Sequence, residues 1–260
     1  MTARVRTVLI LTWTVCALLA YRPMAAQSGT PVLVELFTSE GCSSCPAADQ
    51  LLSELVRTQP VPGVRIIALS EHVDYWDHQG WKDPFSNAVF TRRQQEHAGP
   101  APSDVYTPQM VVDGGSGIVG SDRAAVLKAI RDAALMAKAP MTAQRRRPVQ
   151  PAAIDGDLWL LDIEVPADAR TAGASVFLAV AEDGLQSSVK RGENAGRELE
   201  HDGVARRLVE VGRADRTGAF KRAVSVSMNS GWKLSRVHVV AFAQSPAGKI
   251  VAIQALPDSR

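Results

Sequence analysis

Apolar positions follow two regimes along the chain. Val32-Leu33-Val34-Glu35-Leu36-Phe37 is an almost continuous apolar run, the pattern of a central strand buried on both faces. Ala48, Leu51, Leu52, Leu55 and Val56 then recur at helical spacing behind Pro46, which suits a first helical turn, and Pro60 and Pro62 close the segment. Val64–Leu69 is a second strand, giving a βαβ unit with parallel strands and a right-handed crossover. The long stretch from Ser70 to Tyr106, rich in Trp, His and Asp, predicts one helix near Ser86–His97, capped by Ser86 or Asn87. Met110-Val111-Val112-Asp113 is a third strand, Asp113-Gly114 a turn and Ile118-Val119 a short return strand. A last helix, capped by Ser121, runs to about Lys138.

After residue 150 the helical period disappears. Leu158–Val165, Ser175–Ala181, Arg207–Val211, Phe220–Met228, Val237–Ala243 and Ile250–Leu256 are short strand candidates. Val224, Val226 and Met228 alternate with Ser225, Ser227 and Asn229, as on a half-exposed strand. The expected organisation is an α/β domain over residues 30–140, a linker around Arg145-Arg146-Arg147-Pro148, and a small, mostly antiparallel β-sandwich over 150–260.

Residues 1–26 read as a secretory signal peptide: Arg4 and Arg6 precede an apolar stretch from Val8 to Ala20, and Ala25-Ala26 offers a cleavage site. A stretch of thirteen residues falls short of the roughly 20 that a spanning helix needs. The expected mature protein is therefore periplasmic or secreted, with no membrane span. Without Arg4, Arg6 and Arg22, 26 basic residues face 27 acidic ones, a net charge of −1. That balance argues against a nucleic-acid partner. With 46% hydrophobic and 22% charged residues the chain has ordinary globular composition.

Export would leave two cysteines, Cys42 and Cys45, in Gly41-Cys42-Ser43-Ser44-Cys45-Pro46. In an oxidising compartment such a pair is a redox couple, part of a metal site or a staple. As a staple it is weak, since so small a ring gives only about 2 kcal/mol of loop-closure entropy. A cysteine at a helix start sees amide N–H groups and the positive end of the dipole, which favour thiolate. Cys42, on the loop side, would attack a substrate, and Cys45 would resolve the mixed disulfide. Parallel strands deliver ligand-binding groups at their carboxyl ends. The cysteines after the first strand, His72-Val73-Asp74-Tyr75-Trp76-Asp77-His78 after the second, and Pro108 before an antiparallel strand all reach that edge. Glu35, in an otherwise apolar strand, is a candidate proton acceptor for Cys45, or an acid at the sheet margin paired with Arg65. Trp76 and Trp81 either line a peptide groove or anchor the loop. Cys42, Cys45 and His72 are an alternative copper or zinc ligand set. Gly115-Ser116-Gly117-Ile118-Val119-Gly120 matches a dinucleotide fingerprint but has no acid near position 140, and it reads as a glycine-rich hairpin.

With Cys42-Ser43-Ser44-Cys45-Pro46 and Thr107-Pro108 before a strand, the chain resembles the thioredoxin superfamily. The resemblance implies a thioredoxin-like first domain with a cis-proline at Pro108 packed against the cysteines and Thr107 at a substrate-binding position. Glu35 lies one residue further from the first cysteine than the buried acid of thioredoxins. More narrowly, Glu35–Cys42, His72-Val73-Asp74-Tyr75-Trp76-Asp77, Tyr106–Gly114 and Gly192-Glu193-Asn194-Ala195-Gly196 resemble an uncharacterised family of exported bacterial proteins. The expected activity is thiol–disulfide exchange on cysteine-containing proteins, with an unidentified redox partner and no cofactor beyond the Cys42–Cys45 pair. The alternatives are metal binding or delivery, and a non-catalytic binding protein.

Overall fold

The computed structural model describes residues 29–98, 105–146 and 158–256; the signal-peptide reading, with Cys16, lies outside them. Strand β1 (Thr30–Thr38) is buried from Val32 onward, as its apolar run requires. Helix α1 (Pro46–Thr58) has Cys45 at its N-cap and Pro46 at its first position. It turns Ala48, Leu51, Leu52 and Leu55 onto Val32, Val34 and Leu36. Strand β2 (Val64–His72) pairs parallel with β1 in register Thr30↔Val64 to Thr38↔His72. It runs three residues past the expected end, so His72 belongs to the sheet and not to the following loop. Helix α2 (Ala88–Ala98) starts where Asn87 Oδ1 accepts the Val89 N–H, as expected. Strand β3 (Gln109–Val112) pairs antiparallel with β1, and β4 (Ile118–Val119) returns on β3 as the expected hairpin. Helix α3 (Arg123–Ala134) is capped by Asp122 rather than Ser121 and ends about a turn before Lys138.

The second half is built differently from the expectation. Arg145 and Arg146 of the expected linker end strand β5 (Thr142–Arg146), Arg147 and Pro148 lie outside the described residues, and β5 joins β6 (Leu158–Val165) and β11 (Phe220–Ser227) in a three-stranded antiparallel sheet. Strands β7 (Ser175–Glu182), β10 (Val204–Arg213), β12 (Val237–Gln244) and β13 (Ile250–Ala255) are antiparallel and share a core with that small sheet, two layers as in a sandwich, but their sheet is not separate from the first. They continue the first sheet into one eight-stranded mixed sheet, ordered β13-β12-β7-β10-β2-β1-β3-β4. The junction is narrow: Val204 of β10 lies opposite Ser70 of β2, whose N–H donates to the Gly203 carbonyl at 2.7 Å. Gly203 is needed there, because its φ is +67° and a Cβ would lie 3.1 Å from the Ala68 carbonyl oxygen. An unpaired β2 edge would expose its backbone groups, and β10 pairs with it at Ser70.

The result is an α/β fold with a large mixed sheet and few helices. Alternate residues of β7 sort its two faces. Val176, Leu178 and Val180 pack under Trp159, Leu161 and Ile163 of the small sheet, while Ala179 and Ala181 join Leu33, Leu69 and Phe90 beneath α2. Helix α2 therefore spans the junction on the face opposite α1 and α3. A hairpin that the periodicity did not reveal, β8 (Leu185–Ser188) with β9 (Glu198–His201), lies over α1. Among the described residues no helix is long and apolar enough to cross a membrane.

Candidate functional site

Cys42 and Cys45 form a disulfide at the start of α1, at the carboxyl edge of β1. The turn is closed by its own backbone, with Cys42 N–H on the Ser39 carbonyl and Cys45 N–H on the Cys42 carbonyl. Ser43 and Ser44 are exposed, but the half-cystines are 1% and 0% exposed. Cys42 is thus not the open, loop-side sulfur of the sequence reading. A loop from the other half of the chain is tied to the backbone of this turn. Asn194, itself 1% exposed, donates its Nδ2 hydrogens to the carbonyls of Glu40 (2.8 Å) and Cys42 (2.9 Å), and Glu193 Oε2 accepts the Ser43 N–H at 2.9 Å.

The Thr107–Pro108 bond is cis. Pro108 is buried against Gly120, where a Cβ would meet Pro108, Leu36 and Ala48 at 3.0–3.1 Å. Trp76 ties this segment to the cysteine turn: its Nε1–H donates to Thr107 Oγ1 at 2.8 Å, and its Cβ is 3.2 Å from where Gly41 would carry one. Trp81 Nε1–H donates to Glu40 Oε2 at 2.8 Å. These two hydrogen bonds hold the 73–87 loop against the Thr107 segment and the Glu40 turn.

Glu35 is not placed for the proton-accepting role. Its side chain is on the α2 face with Leu33 and Phe37, whereas α1 rests on Val34 and Leu36. Its partner is not Arg65. Arg93 Nε donates to Glu35 Oε1 at 2.8 Å, and His97 Nε2 lies 3.2 Å from Oε2. Burial alone would raise this carboxyl, but Arg93 and His97 bring it down to about 2. Glu71, buried beside it, is pushed well above its ordinary value by burial and by the charge of Glu35.

His72 is fully buried and gives its Nδ1 to Asp83 Oδ2 at 2.7 Å. Burial opposes both charges, yet the pair prevails: Asp83 is held below its usual range, and His72 above its own. Asp83 also accepts the Glu40 and Phe85 N–H groups. Among the described residues no group of three or more histidine, cysteine or acidic side chains is arranged to hold a metal ion, so Cys42, Cys45 and His72 are not assembled as ligands.

On the α1 face the structure adds residues that pattern alone does not single out. Glu40 carries Trp81 on one oxygen and His201 Nε2 at 3.2 Å on the other. Asp49 accepts the Thr38 hydroxyl at 2.9 Å and faces His201 Nδ1 at 4.0 Å. The usable sequence signal was the Gly192–Gly196 run, a glycine-bracketed acid and amide in a segment without strand pattern. The pairing of Asp49 with His201, 152 residues apart, leaves no trace in local spacing.

Similarity to known proteins agrees with the fold. No functionally curated protein matches the chain. An X-ray crystal structure of a protein from Agrobacterium tumefaciens, a structural-genomics target, superposes with a TM-score of 0.60 at 24% identity, covering 90% of this chain and 97% of that one. HBP35 of Porphyromonas gingivalis superposes with a TM-score of 0.61 at 15% identity, over 88% of this chain and 75% of its own. Both likenesses are of fold. The sequence from 33 to 244, which holds the cysteine turn, the cis-proline segment and the covering loop, matches the protein family of unknown function DUF1223, and the chain belongs to that family.

Proposed function

We propose that this protein is an exported thiol–disulfide oxidoreductase, acting on cysteines of other proteins through Cys42 and Cys45, with a thioredoxin-like first half. One observation carries the reading: the two cysteines are bonded to each other at the N-terminus of α1. There a released thiolate faces the positive end of the helix dipole. The Thr107–Pro108 segment, tied to the same turn through Trp76, supports it. The reaction needs no cofactor beyond the disulfide. The metal alternative has less support, because His72 is committed to Asp83.

The test is trapping in the periplasm or culture medium. A Cys45→Ser variant should accumulate mixed disulfides that reductant releases, since nothing remains to resolve them. Cys42→Ser should trap almost none. A second reading, a binding protein with a locked disulfide, is favoured by the burial of both sulfurs. Absence of trapping by either variant would establish it and remove the oxidoreductase.

A further inference from the structure

We propose that Asp49 is the proton acceptor for Cys45, that His201 is its positioning residue, and that the cavity between α1 and the β8–β9 hairpin carries the proton to solvent. The inference deepens the oxidoreductase reading and rests on it. Three observations carry it. First, Cys45 has helical backbone angles (φ −72°, ψ −36°), and the Asp49 N–H donates to its carbonyl at 3.1 Å. Asp49 is thus one turn further along the same helix face, where Cβ atoms are about 6 Å apart. Second, a cavity of about 470 Å³ opens along that face, with Pro46, Asp49 and Arg57 on the helix side and Glu198, His201 and Asp202 opposite. Third, His201 is 2% exposed, lines this cavity, and has no hydrogen-bond partner for Nδ1 among the described residues. Such a buried nitrogen is costly unless something mobile, such as water or a travelling proton, visits it.

The other acids near the turn are committed. Glu35 lies on the opposite face, Asp83 holds His72, and both oxygens of Glu40 have partners. Asp49 keeps Oδ1 on the Thr38 hydroxyl, while Oδ2 faces the His201 ring at 4.0 Å. Burial raises the Asp49 carboxyl above its ordinary value; His201, His72 and Thr38 pull it down, and Asp83 pushes it up. The carboxylate is therefore a better base than one in water.

In the resolving step the substrate sulfur is bonded to Cys42. The Cys45 S–H bond breaks and its proton passes to Asp49. The thiolate electron pair attacks Cys42 Sγ, the Cys42–substrate S–S bond breaks, and the substrate leaves as thiolate. One disulfide is consumed and one formed, so the substrate disulfide supplies the oxidation. Asp49 returns its proton to cavity water.

The test mixes the reduced mature protein with oxidised glutathione, quenches with acid at intervals and follows the mixed disulfide by mass spectrometry. Asp49→Asn should form it at a rate within about twofold of wild type but resolve it at least about tenfold more slowly at pH 7. His201→Gln should move the inflection of the resolving rate to higher pH, because a group that lowers the Asp49 carboxyl is gone. Thr38→Val should move it the same way, and it serves as the readout should Asp49→Asn not fold. Resolution within twofold of wild type in Asp49→Asn, or an unmoved inflection in the other two variants, overturns the proposal. A wild type that forms no mixed disulfide at all overturns the oxidoreductase reading and this proposal together, and the two failures differ in which step is lost.

Discussion

The loop bearing Glu193 and Asn194 should set how fast the disulfide can be reduced. Both sulfurs are enclosed, so a reductant meets them only after the cover lifts, and the observed rate is the opening equilibrium constant multiplied by the rate for an open disulfide. Asn194 holds the cover with two buried hydrogen bonds, to the carbonyls of Glu40 and Cys42. At about 1 kcal/mol net each, Asn194→Ala should favour opening by about 2 kcal/mol, or roughly 30-fold in rate. The Glu193 bond to Ser43 is solvent-exposed, so Glu193→Ala should act much more weakly. The assay is reduction by a water-soluble phosphine under pseudo-first-order conditions, with alkylation and mass counting of two modified cysteines. Thermal unfolding of each variant separates local opening from global loss of structure. A reduction rate within twofold of wild type in Asn194→Ala, with the fold intact, would refute the reasoning. The disulfide would then be reached past Ser43 and Ser44 without any movement of the loop.

Asp83→Asn should cost about 3 kcal/mol in urea titrations, because it strands a buried histidine. The pair's contribution is present between the unfolded values of 3.8 for Asp83 and 6.5 for His72; it fades as pH rises through the raised His72 value and as pH falls through the lowered Asp83 value. A wild-type-minus-variant difference that is flat from pH 4 to 9 would contradict the assignment. Arg93→Met should cost about 3–5 kcal/mol by leaving Glu35 charged and buried. Glu35→Gln should leave the phosphine reduction rate within twofold of wild type, because Glu35 lies on the face away from α1; a tenfold change would return it to the reacting centre.

The first half was legible because its elements are written locally. The almost continuous apolar run of β1 and the helical spacing from Ala48 to Leu55 behind Pro46 each specify one element. Pairing between distant segments is not written that way. Nothing in Val204–Arg213 announces that it lies beside Ser70, since one parallel register contact and a glycine at position 203 make the junction. The sequence likewise places Glu35 in a strand but leaves its face open, because a strand buried on both sides has no polar side to orient it. Asp49 and His201 escaped notice for a related reason: each is an ordinary polar residue on its own element, and only the hairpin folding over α1 brings them together. The Cys42 turn was found, but neither its burial nor the loop about 150 residues downstream that bonds to its backbone.

The dependence of the first half on the second can be tested directly. A chain of residues 29–146 keeps α1, α2, α3 and β1 to β4, the elements expected to form a domain alone. It loses β10, which pairs with β2, and the apolar surface of Ala179, Ala205, Leu208 and Phe242 that shares a cluster with Leu33, Leu69 and Phe90. Arg93 would lose Gln244, which accepts its second hydrogen bond, and the Phe177 and Phe242 rings beside it, leaving the Glu35–Glu71 cluster half open to water. Glu40 would lose His201, and the disulfide would lose Asn194. An exposed sheet edge beside a bare apolar face favours association over folding. The fragment should therefore aggregate or populate only a loosely packed state, seen by size-exclusion chromatography and by loss of near-ultraviolet circular dichroism. A monomeric fragment that unfolds cooperatively, with a disulfide no easier to reduce than in the full chain, would show that the second half is an appendage and that the site belongs to the first half alone.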